Sequence, residues 1–370
     1  MAKKVLVYAY LEGNLGDDLM VWILCRRYPH VQFRVLAHES YKTTFRGLKN
    51  LKVYSFNDRQ VVMWNKALTV VKHGKEDFFR RMVRKADAVV HIGGSVYTQH
   101  ENYQMSFMSD YVLRDTSRRM YVCGANFGPY RDESFYQNYY NLLARYDGVC
   151  FRDRYSYGLF EALPNVRYAP DVVFNYRPSA YIQKGDEKKQ VLISAIQMKN
   201  RGGAFAICGY AEDYRNFMAG ITEKYIDSGY RVKFVSFCKS QGDPEAAAEI
   251  IDCISPGKRT MIEQYVYENN LEEAVSLFDE SEIVIGTRFH SIILGWLKDK
   301  KVLPVVYDAK TLHTLEDNGC GSYVTLDQLK GADVDRLAGQ AQRLPAELRE
   351  QLLKDSQNQF ADLDGFLNEL

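Results

Sequence analysis

The sequence predicts an α/β protein made of two doubly wound, Rossmann-like domains facing each other across a cleft, and three observations carry that prediction. At 370 residues the chain exceeds the size at which a single hydrophobic core stops growing, so two domains are the default. Short apolar runs ending in Gly, Asn or Asp alternate with amphipathic stretches from one end to the other, as parallel βαβ units do. A polar, charged stretch at 175–190, NYRPSAYIQKGDEKKQ, contains Pro178 and Gly185 and separates two series of such runs. The first series of strands is read at 4–10, 32–37, 88–92, 120–125, 148–151 and 166–169. The second is read at 191–196, 231–237, 282–285 and 302–306. The domains are therefore placed at 1–176 and 188–333, followed by an amphipathic helical segment, 334–370, that packs back on them. That arrangement is the one seen in B-type glycosyltransferases.

Composition narrows the function classes. Hydrophobic residues make up 46% and charged residues 26%, an ordinary globular balance that excludes global disorder. Lys and Arg number 48 against 47 Asp and Glu, so no overall field recruits nucleic acid and any anion site must be local. The seven cysteines are scattered, mostly in apolar runs, without a CxxC pair. They read as reduced core residues, which argues against zinc and a disulfide framework and for the cytoplasm. The N-terminal run KKVLVYAY stops at Glu12 and lacks a small-residue cleavage site, so it reads as a first strand rather than a signal peptide. No uncharged apolar stretch approaches the length of a membrane span.

The chemistry concentrates where strands end. GTRFHS, 286–291, places Arg288 and His290 two residues apart at a strand-to-helix junction. In an open α/β sheet that junction borders the ligand crevice, and a helix N-terminus favours an anion. Arg288 can fork onto a carboxylate or phosphate, and His290 can carry a proton near neutral pH. The competing reading is an arginine that caps carbonyls and a satisfied buried histidine. GNLGDD, 13–18, offers Asn14 and Asp17 as helix caps and Asp17 and Asp18 as hydroxyl-recognition groups or general base. HIGGSVY, 91–97, brings Gly94 and Ser95 to a strand exit, and CGANFGPY, 123–130, does the same with Asn126. FRDRYS, 151–156, gives Arg152 and Asp153, the arginine binding an anion or pairing with that aspartate. Asp171 in APDVVF is a loop cap, an interface residue or a lone metal carboxylate; no feature demands a metal. In the second half AIQMKNRGG, 195–203, carries Lys199 and Arg201, and VVYDAK, 305–310, adds Tyr307 and Lys310 beside the Arg288 and His290 unit. A histidine, an arginine and a lysine converging on one sheet edge describe a site for a small, strongly anionic donor. Most of the 27 tyrosines fit half-buried surfaces better than sugar-stacking faces.

Taken in order, GNLGDD, HIGGSVY, CGANFGPY, FRDRYS, APDVVF, GTRFHS and YDAK resemble the polysaccharide pyruvyl transferase family over residues 5–319. The resemblance implies transfer of a pyruvate ketal from phosphoenolpyruvate to two hydroxyls of a sugar in a bacterial cell-surface or exopolysaccharide glycan. It implies the B-type fold, with acceptor on the N-terminal side and phosphoenolpyruvate on the C-terminal side. Phosphoenolpyruvate is then a donor substrate, and no cofactor is expected. The family's donor-binding arginine and histidine fall on Arg288 and His290, with Arg152 as a second arginine; by its own chemistry Lys310 can add a further cation for a donor with a carboxylate and a phosphate. Ala309 stands where family members often have proline, a harmless difference. His290 is the expected acid, and Asp17, Asp18 and Asp153 stay open as the base. Asn14, Gly94, Ser95 and Asn126 complete the expected binding residues. A lipid-linked sugar acceptor is expected by analogy, with the enzyme in the cytoplasm or at the inner face of the membrane. The stretch 67–85, ALTVVKHGKEDFFRRMVRK, fits either peripheral contact with an anionic membrane or an ordinary surface helix.

Two rivals keep different classes in view. One is a nucleotide-sugar glycosyltransferase of the same architecture; Glu272 and Glu280 have the spacing of retaining members but precede a strand. The other is a non-catalytic glycan-assembly binding protein, which leaves the gathering of Arg288, His290 and Lys310 unexplained. Acceptor sugar, hydroxyl pair, ketal stereochemistry and oligomeric state are not encoded in any motif.

Overall fold

The computed structural model of the protein describes residues 2–71, 77–178, 188–203 and 205–368, without the side chains of 67–71. Two compact units emerge. The first comprises Met1–Leu11, Asp17–Asn175 and Asp355–Leu370; the second comprises Glu12–Gly16 and Tyr176–Lys354. The short stretch 12–16 thus belongs with the second unit. The segment after residue 333 divides, with its last sixteen residues on the first unit. Residues 179–187 of the interdomain stretch lie outside the described residues.

The first unit is a seven-stranded sheet of β1 (Lys4–Tyr8), β2 (Gln32–Ala37), β3 (Leu51–Ser55), β4 (Ala88–Ile92), β5 (Met120–Ala125), β6 (Gly148–Phe151) and β7 (Val166–Tyr168). Its order is β3-β2-β1-β4-β5-β6-β7, and every pair is parallel. Parallel strands need crossover connections, and helices supply them between successive strands such as β1 and β2. β4 and β5 are buried along their whole length, which is why AVVHI and MYVCGA read as continuous runs rather than alternating ones. Phe127, Phe135, Tyr139 and Phe160 pack with them. Each such side chain fully buried contributes roughly 1.5–3 kcal/mol.

The C-terminal residues complete this unit. Gln359 accepts from the Gly124 N–H (2.8 Å) and donates to the Phe151 and Ala169 carbonyls (3.3 and 2.6 Å), tying together the exits of three neighbouring strands. The helix Ala361–Asn368 adds ion pairs from Asp364 to Arg27 and from Asp362 to Arg167.

The second unit holds β8 (Gln190–Ser194), β9 (Arg231–Ser236), β10 (Ile262–Val266), β11 (Ile283–Gly286), β12 (Lys301–Val306) and β13 (Val324–Thr325). Their order, β10-β9-β8-β11-β12-β13, repeats the doubly wound plan, again all parallel. The α/β class with two Rossmann-like units is therefore observed. Three strands lack a counterpart in the sequence reading, and each has a reason. β3 and β10 are edge strands with half-exposed, polar-interrupted sequences, LKVYS and IEQYV, and β13 is two residues long.

All seven cysteines are free; Cys208 and Cys253 are exposed and the other five buried. Among the described residues no helix is long and apolar enough to cross a membrane. Of the basic stretch 67–85, residues 72–76 and the side chains of 67–71 lie outside the described residues. The backbone of 67–71 ends the helix Arg59–Val71, and 78–85 is the helix Phe78–Lys85, whose Met82 and Val83 are spent in the core of the first unit.

Candidate active site

In the second sheet the strand order reverses between β8 and β11, and that switch point is where an open α/β sheet leaves a crevice. GTRFHS lies there. Gly286 ends β11, and Phe289–Leu297 is a helix with Arg288 as its N-cap residue. Ser194, the last residue of β8, anchors the turn: its hydroxyl accepts from the Thr287 and Arg288 N–H groups (3.1 and 3.2 Å) and pairs with the Ser291 hydroxyl at 2.6 Å. Thr287 is held from the other side by the Tyr214 hydroxyl at 2.9 Å. Both sheet strands and the helix therefore set the direction in which residues 288 and 290 leave the backbone.

Arg288 is buried and paired. Its Nε donates to Asp243 Oδ2 at 2.9 Å, its Nη2 to Asp243 Oδ1, and its Nη1 to Gln241 Oε1 at 2.7 Å. Burial alone disfavours the charged guanidinium; the Asp243 carboxylate outweighs it and holds the arginine pKa above its usual value. Asp243 is fixed in turn by the Phe237 and Cys238 N–H groups, both at 3.0 Å. A guanidinium has five N–H donors, and these contacts use three, so among the described residues two are left for a ligand.

His290 is buried two residues further on, against the loop 12–16. Gly16 is required there by close approach: a β-carbon at that position would overlap the imidazole Nδ1. The loop is latched to the same unit by the Leu15 N–H on the Phe237 carbonyl (3.0 Å), by the Ser240 hydroxyl on the Glu12 carbonyl (3.2 Å) and by a bridge between Asn14 and Cys238. The Asn14 carbonyl oxygen accepts from the Gly16 N–H at 3.0 Å, so its side chain shapes this turn. GNLG and GTRFHS, 270 residues apart in the chain, thus form one local structure.

Lys310 joins the same sheet edge but pairs with Asp308 at 3.1 Å, which also caps the helix Ala309–Asp317 through Thr311. Arg201, after β8, donates through Nε to the Gln197 carbonyl (3.1 Å) and reaches Gln241 Oε1 with Nη2 at 3.5 Å. Tyr307 stands between these cations, its ring centroid 5.3 Å from the Arg201 guanidinium and 6.0 Å from the Lys310 ammonium.

The first unit gathers a second group of the expected residues. Arg152, at the exit of β6, donates to Asp171 Oδ2 at 3.0 Å and to Asn126 Oδ1 at 2.8 Å. Gly94 lies flat on that guanidinium, with no room for a β-carbon. The Ser95 hydroxyl approaches Asn126 at 3.5 Å and is exposed. Asp153 is a buried N-cap that accepts from the Ser156 N–H (2.7 Å) and hydroxyl (3.0 Å). Asp18 is fully buried and accepts from the Tyr41 hydroxyl at 2.9 Å. Asp17 is half-buried, its carboxylate beside Gly93.

Asp243, Gln241 and Ser194 were not among the residues expected from sequence. GDPE, 242–245, reads as an ordinary helix start, and Ser194 sits inside an apolar run. Their one signal is position: Ser194 ends β8 at the switch point, and Gln241 and Asp243 follow its neighbour β9. Among the described residues no group of three or more His, Cys, Asp or Glu is arranged to hold a metal.

Comparisons with known proteins bear on the fold and the family. The fold is similar to HepE of Anabaena, solved with UDP and glucose, at TM-score 0.56 and 11% identity over all of both chains. It is similar to TarM at 0.58 and 9%, covering 100% of this chain and 99% of the other. A glycosyltransferase of Rickettsia africae gives 0.55 and 10% over 100% and 99%. At such identities the likeness shows the fold alone, that of the B-type glycosyltransferases. The polysaccharide pyruvyl transferase family model matches residues 14–309, from the Asn14 loop through GTRFHS to Ala309. The chain belongs to the polysaccharide pyruvyl transferase family, an enzyme family.

Proposed function

We propose that the protein transfers the pyruvyl group of phosphoenolpyruvate, as a ketal, to two hydroxyls of one sugar in a bacterial surface or exopolysaccharide glycan. The observation that carries the reading is the placement of Arg288 and His290 at the switch point of the second sheet, in a chain of this family. In the reaction both hydroxyl oxygens bond to C2 of the enol and the C2–O bond to phosphate breaks. One hydroxyl proton is matched by the proton gained at the methylene carbon, and the other leaves with phosphate.

Arg288 offers its two remaining N–H donors to the anionic donor, and Asp243 keeps the guanidinium from swinging away. His290 protonates the methylene. Asp17 is the carboxylate best suited to accept a hydroxyl proton, because Asp153 is consumed as a helix cap and Asp18 is sealed against Tyr41. Lys310, paired with Asp308, offers further N–H donors on the donor side. Ser95 and Asn126 supply polar groups for acceptor hydroxyls, in loops shaped by Gly94 and Arg152; Asn14 serves substrate binding on its own unit by shaping the turn against His290. The acceptor is a lipid-linked oligosaccharide, met in the cytoplasm at the inner face of the membrane, and no cofactor takes part.

Calorimetry with phosphoenolpyruvate tests this directly, with UDP-sugars as controls. Wild-type protein binds phosphoenolpyruvate, Arg288→Ala loses that binding, and His290→Ala keeps it while turnover falls by about 10²–10⁴-fold. Binding of a nucleotide sugar without phosphoenolpyruvate moves the assignment to a glycosyltransferase. Undiminished turnover in His290→Ala removes the histidine from the mechanism.

A further inference from the structure

We propose that Arg201 is a further donor-binding residue, the cation that takes the donor's phosphate, and that Gln241 positions it; the proposal rests on reading Arg288 as a donor-binding arginine. The argument is one of charge. Arg288 is cancelled by Asp243, Lys310 by Asp308 and Lys199 by Glu249 at 2.8 Å. Arg201 stands among the same side chains with only neutral acceptors, the Gln197 carbonyl and the Gln241 amide oxygen, and with the Tyr307 ring beside it. Among the described residues no carboxylate pairs with it. A donor carrying both a carboxylate and a phosphate needs more than the residual donors of a neutralised arginine, and Arg201 supplies the unbalanced positive charge.

Gln241 makes the two arginines one device. Its single Oε1 accepts from Arg288 Nη1 at 2.7 Å and stands 3.5 Å from Arg201 Nη2, so a neutral carbonyl dipole sits between two cations that would otherwise repel. The longer contact is weak and exchangeable, which leaves that end of Arg201 available to a phosphate oxygen. A neutral residue is what the position requires. A carboxylate there would cancel Arg201 as Asp243 cancels Arg288.

The test is binding of inorganic phosphate and of phosphoenolpyruvate to the full chain by calorimetry, in wild type, Arg201→Met, Arg201→Lys, Gln241→Glu and Lys199→Met, with folding checked by circular dichroism. Arg201→Met and Gln241→Glu are expected to raise the Kd for both ligands at least about ten-fold, Arg201→Lys by less because it keeps the charge without the fork, and Lys199→Met by less than two-fold. Gln241→Glu separates positioning from packing, since it keeps the side-chain shape and changes only charge. Unchanged affinity in Arg201→Met, with Arg288→Ala still abolishing phosphoenolpyruvate binding, overturns the proposal and leaves the donor site standing. Phosphate binding that depends on Arg201, in a wild type that ignores phosphoenolpyruvate, upholds the anion site and removes the pyruvyl donor. Wild-type indifference to both ligands overturns both.

Discussion

The two units hold a similar construction at different places in their sheets, Arg288 leaving β11 at the switch point and Arg152 leaving β6, two strands beyond β4, and they differ in what is left over. In each, an arginine leaves the sheet at a strand exit and meets an aspartate and a side-chain amide oxygen: Arg152 with Asp171 and Asn126, Arg288 with Asp243 and Gln241. Arg152 is closed in, its side chain 2% exposed and its guanidinium face covered by Gly94. Arg288 is 8% exposed, keeps two N–H donors, and has His290 and Arg201 for company. An ion pair that is fully enclosed fixes loops; one bordered by further polar side chains can also bind. Buried arginine and a strand exit therefore do not suffice to name a ligand site, and what borders the guanidinium separates the two: Gly94 covers Arg152, whereas Gln241 and Arg201 adjoin Arg288.

The largest expected effect tests that separation. Arg152→Met and Arg288→Met should each cost about 3–5 kcal/mol of stability, because each strands a buried carboxylate. Adding Asp171→Asn to the first and Asp243→Asn to the second removes the stranded charge while keeping an acceptor for the Val173 N–H in one and the Phe237 and Cys238 N–H groups in the other. Denaturant titration should show much of the loss recovered in both double variants. Pyruvyl transfer should return only in the Arg152 pair. A stable Arg152→Met/Asp171→Asn protein with a KM for phosphoenolpyruvate raised ten-fold would make Arg152 a donor clamp after all and dissolve the contrast.

The next effect concerns the histidine that the first unit's construction lacks. Gly16→Ala places a methyl group where the His290 ring now lies. Displacing a reacting group by about 1 Å costs on the order of 10²-fold in rate, so kcat should fall by that factor while the affinity for phosphoenolpyruvate, set by the arginines, moves little. A kcat within two-fold of wild type would show that the imidazole's present position is not the working one.

How much of this was legible in the sequence follows the same physics. Central strands were readable because burial on both faces makes them continuous apolar runs, as in AVVHI; edge strands such as IEQYV were not, because half their residues face water. Arg288 and His290 could be found because a charged pair at a strand-to-helix junction is unusual. Asp243 and Gln241 could not, since an acidic residue beside a proline at a helix start is what ordinary capping produces. The contact between Gly16 and His290 was beyond reach for a different reason: it joins two segments whose proximity only the folded second unit creates. Nor could the sequence say that Asp153 is used up as a cap, for a cap and a general base have the same residue at the same junction.

The smallest effect lies in the first unit, away from both arginines. Asp110 is buried among Tyr8, Tyr97, Tyr139 and Tyr146, and accepts from the Tyr139 hydroxyl at 3.0 Å. Burial pushes its carboxyl up to about 7, against the Tyr139 hydrogen bond. A folded-state pKa above the unfolded value means that stability is full below the unfolded pKa, near 4, and is lost as pH rises towards 7. His91, whose ring centroid is 4.6 Å from that of Tyr8, is pulled by burial to about 3 and acts in the opposite sense, losing stability as pH falls below about 6.5. Comparing Asp110→Asn with wild type cancels the histidine, because it is present in both. The variant keeps a hydrogen-bond acceptor for Tyr139 and cannot ionise, so its Tm relative to wild type should climb between pH 4 and 7 by about 2–4 °C per kcal/mol recovered, and level off above. A difference that is flat across that window would mean that Asp110 ionises as readily in the folded protein as in the unfolded chain, and that water reaches it.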